Sequence, residues 1–437
     1  MRIFWLALLV ITLTAATGMA APKKLTLDET IAKTLAGPKA RVARGEADTA
    51  EGKLGEAKSL RFPRINGTLF ATASPKITCL DPQCTETDPS NFAFRYEGFY
   101  GGGKLEVTQP LYTFGKAEHG FAAAKAGVEA QHLLADEAAG DLVVDATRAY
   151  WGVKLARELG GMLDDGLEQI GKAVDRMNAR TGKDAPTPQD KQRIAVLIAE
   201  AKIQRADAAA AERQALAGLR ALTGVPDADV DDAPLEPVKR DVGNASGAGR
   251  PQARAAQQGA IAADELVEMS TRFYFPDLAL VGRAFFARAQ GVDDPPSALA
   301  NDPYNRSGAE LVLQLNWTLE PWSVHARTVR ARAEAERAHA LSDLAASGAR
   351  YDAQTALGEA QAAKTKLDAA TEGVKAGRAW IVTLLQADAV GTAEAKDLAD
   401  AYVAWFRMRA NWAQSAFQYN VALARVARAD GVFHAKR

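Results

Sequence analysis

The chain has 437 residues, with 53 basic and 54 acidic side chains and 48% hydrophobic residues. That balance lacks the basic footprint of a nucleic-acid binder. After the first twenty residues no run approaches the ~20 apolar residues a spanning helix needs, which leaves strands of ~9–11 residues as the route into a membrane.

Residues 1–20 read as a secretory signal peptide, with Arg2 as the positive end, Ile3 to Leu13 as the apolar stretch and Gly18-Met19-Ala20 as the small-residue cleavage site. Thr26-Leu-Asp-Glu29 is a capping box, and the helix it opens is predicted to run to about Leu60, where Pro63 stops it. Residues 65 to 73 then alternate, with Ile65, Gly67, Leu69, Ala71 and Ala73 on an apolar side, as in a half-covered strand. A polar loop is expected over 74 to 91. It holds Cys79 and Cys84, a pair that in an exported chain points to a disulfide, since C-x4-C without histidine supplies too few metal ligands. The aromatic cluster Phe92, Phe94, Tyr96, Phe99 and Tyr100 precedes a second strand, with Leu105, Val107, Gln109 and Leu111 on its apolar side.

From Lys116 the pattern turns helical for some 65 residues, or ~100 Å at 1.5 Å per residue. Leu142, Ala146, Ala149, Val153, Ala156, Gly160 and Leu163 keep a 4-3 spacing, a coiled-coil seam. A hairpin turn at Gly182 to Pro188 leads to a return helix ending near Leu222. Residues 226–249 are rich in Pro, Gly and Asp and read as a linker.

The order then repeats. Phe62-Pro63 recurs as Phe275-Pro276, the strand Leu105–Leu111 as Leu313–Leu319, and the glycine turn at Gly182 as one at Gly391. We therefore read residues 21–437 as one protomer of two structural repeats, about 25–225 and 250–431. The fold class expected is mainly α with a membrane β-barrel, the long helices forming a coiled-coil tunnel. Four one-sided strands cannot close a barrel, which begins at about eight. Three chains would supply twelve.

At this point the sequence resembles the TolC family of outer-membrane channel proteins. The matching pieces are Leu25-Thr-Leu-Asp-Glu29, Phe-Pro before each first strand and Gln109-Pro-Leu-Tyr-Thr-Phe-Gly115. Val390-Gly-Thr392, Asp397-Leu-Ala-Asp400-Ala and Tyr419-Asn-Val-Ala-Leu-Ala424 complete them. The resemblance implies a homotrimer with a twelve-stranded barrel in the outer membrane of a Gram-negative-type bacterium and a helical tunnel across the periplasm. Such a channel is the exit duct of a tripartite efflux pump or type I secretion system, with a periplasmic adaptor and an inner-membrane transporter as partners and outer-membrane lipid around it.

The resemblance also implies sites. Asp397 and Asp400 match the acidic ring at the tunnel entrance, although solvated acids at a helix N-terminus read the same way. Gly182, Asp190 and Gly391 mark the hairpin tips that would meet the adaptor, and Phe94, Tyr96, Tyr100 and Trp317 an aromatic girdle. Two departures stand out. The aromatic and the arginine that help close the tip in well-known members are Asp388 and Ala393 here, and two prolines enter the first turn.

The five histidines show no metal spacing and read as solvated helix positions. Gly101-Gly-Gly103 lacks the strand-to-helix context of a phosphate loop, and no nucleophile with a base stands out. The expectation is no enzyme, no cofactor and no metal. The competing readings are a periplasmic adaptor, which would carry one hairpin, and a coiled-coil scaffold, which leaves the strands unexplained.

Overall fold

The computed structural model describes residues 23–79, 92–178, 187–290, 305–389 and 395–432. The signal-peptide expectation, Cys84, and both turn glycines Gly182 and Gly391 lie outside them. The elements in order are β1 (Lys23–Leu25), α1 (Leu27–Ala36), α2 (Pro38–Ser59), β2 (Arg64–Cys79), β3 (Phe92–Tyr112), α3 (Lys116–Asn178) and α4 (Pro188–Thr223). They continue with β4 (Ala228–Val230), α5 (Pro251–Thr271), a 3-10 turn (Arg272–Tyr274), β5 (Asp277–Ala289), β6 (Arg306–Asn316), α6 (Pro321–Ala389) and α7 (Ala395–Ala429). The helix–strand–strand–long helix–return helix order is thus present twice.

The chain divides into two compact units. One comprises Met1–Ala43, Asp136–Arg250 and Ala349–Arg437, the other Arg44–Ala135 and Pro251–Gly348. The second unit holds a four-stranded antiparallel sheet in the order β2-β3-β5-β6. The strands outrun the expectation: β2 continues to Cys79 through a register shift between Ala73 and Pro75, and β3 takes in the whole aromatic cluster. Pro75 is tolerated because a bulge removes the need for its missing N–H. Three histidines of this unit, read from the sequence as solvated helix positions, also have acidic partners. His119 bonds Glu265 at 2.8 Å, His132 bonds Glu51 at 2.9 Å and His339 bonds Asp264 at 2.9 Å, each across a pair of helices.

The first unit contains the main core. Tyr150, Trp151 and Val153 of α3 pack with Leu219 of α4, Val230 and Leu235 of the linker, Leu367 of α6 and Tyr419 of α7. The capping box is present: the Thr26 N–H donates to Glu29 Oε2 at 2.9 Å and the Glu29 N–H to Thr26 Oγ1 at 3.3 Å. The predicted single helix is two, because Gly37 is extended (φ −73°, ψ 175°). Pro38 disfavours a helical residue before it, and a Cβ at Gly37 would meet the Leu222 carbonyl oxygen at 2.8 Å. The linker is not wholly irregular either, since β4 pairs in parallel with β1.

The predicted seam of α3 is buried at Leu142, Ala146, Val153, Ala156 and Gly160. Beyond it the buried side shifts to Met162 and Gly166, where a Cβ at Gly166 would touch the Phe406 ring at 3.3 Å. α6 carries a seam of its own, Ala349, Ala353, Ala356, Ala360, Ala363, Leu367 and Ala370, all buried at 4-3 spacing. Alanine there lets helices approach closely.

Candidate functional site

The sheet has one apolar face and one polar face. The register puts Ile65 opposite Val107, Leu105 opposite Ala284 and Leu280 opposite Leu313, so apolar positions align across all four strands. The apolar face is uncovered: Leu69 is 83% and Leu311 72% exposed. In water, leaving each such side chain out would forgo about 1.5–3 kcal/mol. On the other face Glu106 meets Lys104 and Arg283, each at 2.9 Å, and Arg283 reaches Glu310 at 3.1 Å. Gly101 to Gly103 sit under the rings of Phe99, Phe70 and Phe286, and a Cβ at Gly102 would come within 2.3 Å of the Phe286 carbonyl oxygen.

The expected girdle residues separate. Tyr96 is exposed and lies opposite Pro75, past the bulge. Tyr100 falls on the polar face instead, its ring 5.1 Å from that of Phe70. Trp317 lies just beyond β6 and donates from Nε1 to the Tyr274 carbonyl at 3.0 Å. The Phe94 side chain is outside the described residues.

A second aromatic cluster at the helix end of the strands was not anticipated. Phe114 (φ 51°) and Gly115 (φ 93°) turn β3 into α3, and the Phe114 ring sits 4.6 Å from Tyr112 and 5.9 Å from Phe275 of the other repeat. Nearby in sequence, Trp322 opens α6 at 86% exposure. The Gln109-Pro-Leu-Tyr-Thr-Phe-Gly115 motif thus acquires a physical basis in this turn, with Gln109 Nε2 donating to the Arg61 carbonyl at 2.9 Å.

In the first unit, Asp397 lies exposed in the first turn of α7, where the helix dipole favours an acid. Asp400, one turn on, accepts from Arg193 of α4 at 2.8 Å. Asp190 lies in the first turn of α4, its side chain outside the described residues, as are Gly182, Gly391 and the Cys79 thiol. The family resemblance singled out the two aspartates; the Arg193 partner was not anticipated.

Two charged clusters in this unit also escaped the sequence reading. Lys154 is buried against Asp231 and the Ala233 carbonyl, and Tyr150 donates to Asp231 at 2.9 Å. Burial pushes the Tyr150 hydroxyl well up, and the bond to Asp231 adds to it. Burial would raise the Asp231 carboxyl too, but the hydrogen bonds from Lys154 and Tyr150 outweigh it and hold the group below its ordinary value. The second cluster joins Glu137 and Asp141 of α3, Arg250 at the end of the linker, Asp352 of α6 and Arg428 of α7. Nothing in the spacing of these five residues announces that they meet.

A duplicated protomer of long hairpins with a one-sided antiparallel sheet has the architecture of a TolC-like outer-membrane channel. The family model "Outer membrane efflux protein" matches residues 37–225, a little under half of the chain. Among solved structures, the outer-membrane channel OprN is 18% identical with a TM-score of 0.76, over 93% of this chain and 89% of that one. The Campylobacter jejuni CmeC outer membrane channel is 15% identical with a TM-score of 0.75, over 94% and 87%. The Neisseria gonorrhoeae MtrE outer membrane channel, in its open state, is 17% identical with a TM-score of 0.75, over 93% and 88%. None of the curated proteins compared matches the sequence.

Proposed function

We propose that three copies of this chain form the exit duct of a tripartite efflux pump or type I secretion system, carrying cargo through the periplasm and across the outer membrane. The observation that supports this most directly is the sheet. Its terminal strands, β2 and β6, each have one side open to a further strand, and its apolar face is uncovered. In lipid every backbone polar group must be paired, so an open four-stranded sheet is untenable there and edge-to-edge closure with two further copies removes the problem. The polar face, with Glu106, Arg283 and Glu310, would then line the lumen. Residues 21–437 act as one protomer of two repeats, about 25–225 and 250–431.

The remaining assignments belong to the same proposal. The hairpin tips around Gly182, Asp190 and Gly391 meet a periplasmic adaptor and an inner-membrane transporter. Asp397 and Asp400 sit at the tunnel entrance. Cys79 and Cys84 form a bridge in the external loop, while Tyr96 and Trp317 contribute to an aromatic girdle at the lipid boundary. Outer-membrane fractionation followed by planar-bilayer recording tests the reading. A heat-sensitive trimer band in the outer membrane that conducts ions is expected; a soluble periplasmic monomer without conductance would contradict it.

A further inference from the structure

We infer that Arg193 sets the selectivity of the tunnel entrance by cancelling the charge of Asp400. The inference rests on the reading that the start of α7 lines that entrance. The two residues are equivalent positions of the repeats. Arg193 is the sixth residue of α4 and Asp400 the sixth of α7, as Pro188 and Ala395 begin the two helices. Three residues earlier the repeats carry Asp190 and Asp397. Each return helix therefore starts with an acid at the first position, while the second position is basic in one repeat and acidic in the other.

The side chains meet: Arg193 Nη2 donates to Asp400 Oδ1 at 2.8 Å. Both are about half exposed, 51% and 45%, so the pair adds little to folding. Its consequence is electrostatic. In a trimer the outer level would gather like charges from Asp397, whereas the level behind it would be neutral. The entrance then has one acidic level, not the two that the Asp-x-x-Asp spacing alone implies.

The test is single-channel recording of the full-length channel with hexamminecobalt(III) as a trivalent probe. R193Q uncovers three carboxylates. Three charges acting on a trivalent ion about 10 Å away in water, attenuated over one Debye length at 0.1 M salt, tighten block about tenfold. D400N leaves three arginines unpaired and weakens block by a similar factor. R193Q/D400N and R193K both return to the parent. If R193Q and D400N change block in the same direction, the contact merely holds the helices and the inference is overturned. R193Q blocked like the parent also overturns it. D397N reports separately on the underlying reading: a D397N channel blocked as tightly as the parent removes the acidic ring, whatever the sign of the Arg193 effect.

Discussion

Replacing Glu137 by alanine removes the centre of the buried charge cluster. Glu137 is 7% and Arg250 5% exposed. Its Oε1 accepts from Arg250 Nε at 3.1 Å and from Arg428 Nη2 at 2.9 Å. Arg250 would keep Asp352, and Arg428 would keep Asp141. Breaking a buried ion pair by removing one partner costs about 3–5 kcal/mol, and the surviving partners place this case near the lower end. For a cooperative unit of a few hundred residues, each kcal/mol moves the midpoint by about 2–4 °C, so about 3 kcal/mol predicts a drop of about 6–12 °C. The assay is loss of helical circular dichroism on heating in detergent at one fixed scan rate, so that midpoints compare even where unfolding is governed by its rate. Glu372→Ala, which breaks an exposed pair with Lys375 three residues away, should leave the midpoint unchanged. If Glu137→Ala unfolds within a degree of the parent, the cluster is not holding the linker and helices together.

A pH effect follows from His339. The hydrogen bond that His339 Nε2 donates to the Asp264 carboxylate holds its imidazole above the ordinary 6.5, so its contribution is full below that value and fades as pH climbs through the raised one. The melting-temperature gap between the parent and His339→Gln should be present at pH 5.5 and absent at pH 9; a gap independent of pH counts against it. Gly247 is left-handed (φ 73°), and a Cβ there would lie 2.4 Å from the Ala349 carbonyl oxygen. Gly247→Ala should therefore lower the midpoint by several degrees, with about 1–2 kcal/mol from the backbone alone, and an unchanged midpoint would show that the linker is not seated there. Thiol labelling of unreduced, denatured protein should find neither Cys79 nor Cys84, and two labelled thiols would rule the bridge out.

Most of the element order was legible because amphipathic strands and long helices write their periods over many residues. The recurrence of Phe-Pro ahead of a strand and the alternation in β6 marked the duplication in the sequence itself. What was hidden has a common cause. The β1–β4 pair joins residues 23–25 to 228–230, and three-residue strands carry no period. The extension of β2 through Pro75 depends on a bulge, which local propensity argues against. The α6 seam is almost all alanine, so hydrophobic patterning cannot distinguish its buried side from its other alanines. At the candidate site, Asp397 and Asp400 were visible as a spaced motif. The pairing of Asp400 with Arg193 spans two helices from different repeats, and no local rule connects them.

The central claim is that three chains share one barrel, and mass measurement of the purified protein in mild detergent tests it most directly. A particle of three chains is expected, falling to one when its strands are melted by heat. A particle containing a single chain in the cold would contradict it, because the open sides of β2 and β6 and the bare apolar face would then have no means of closure.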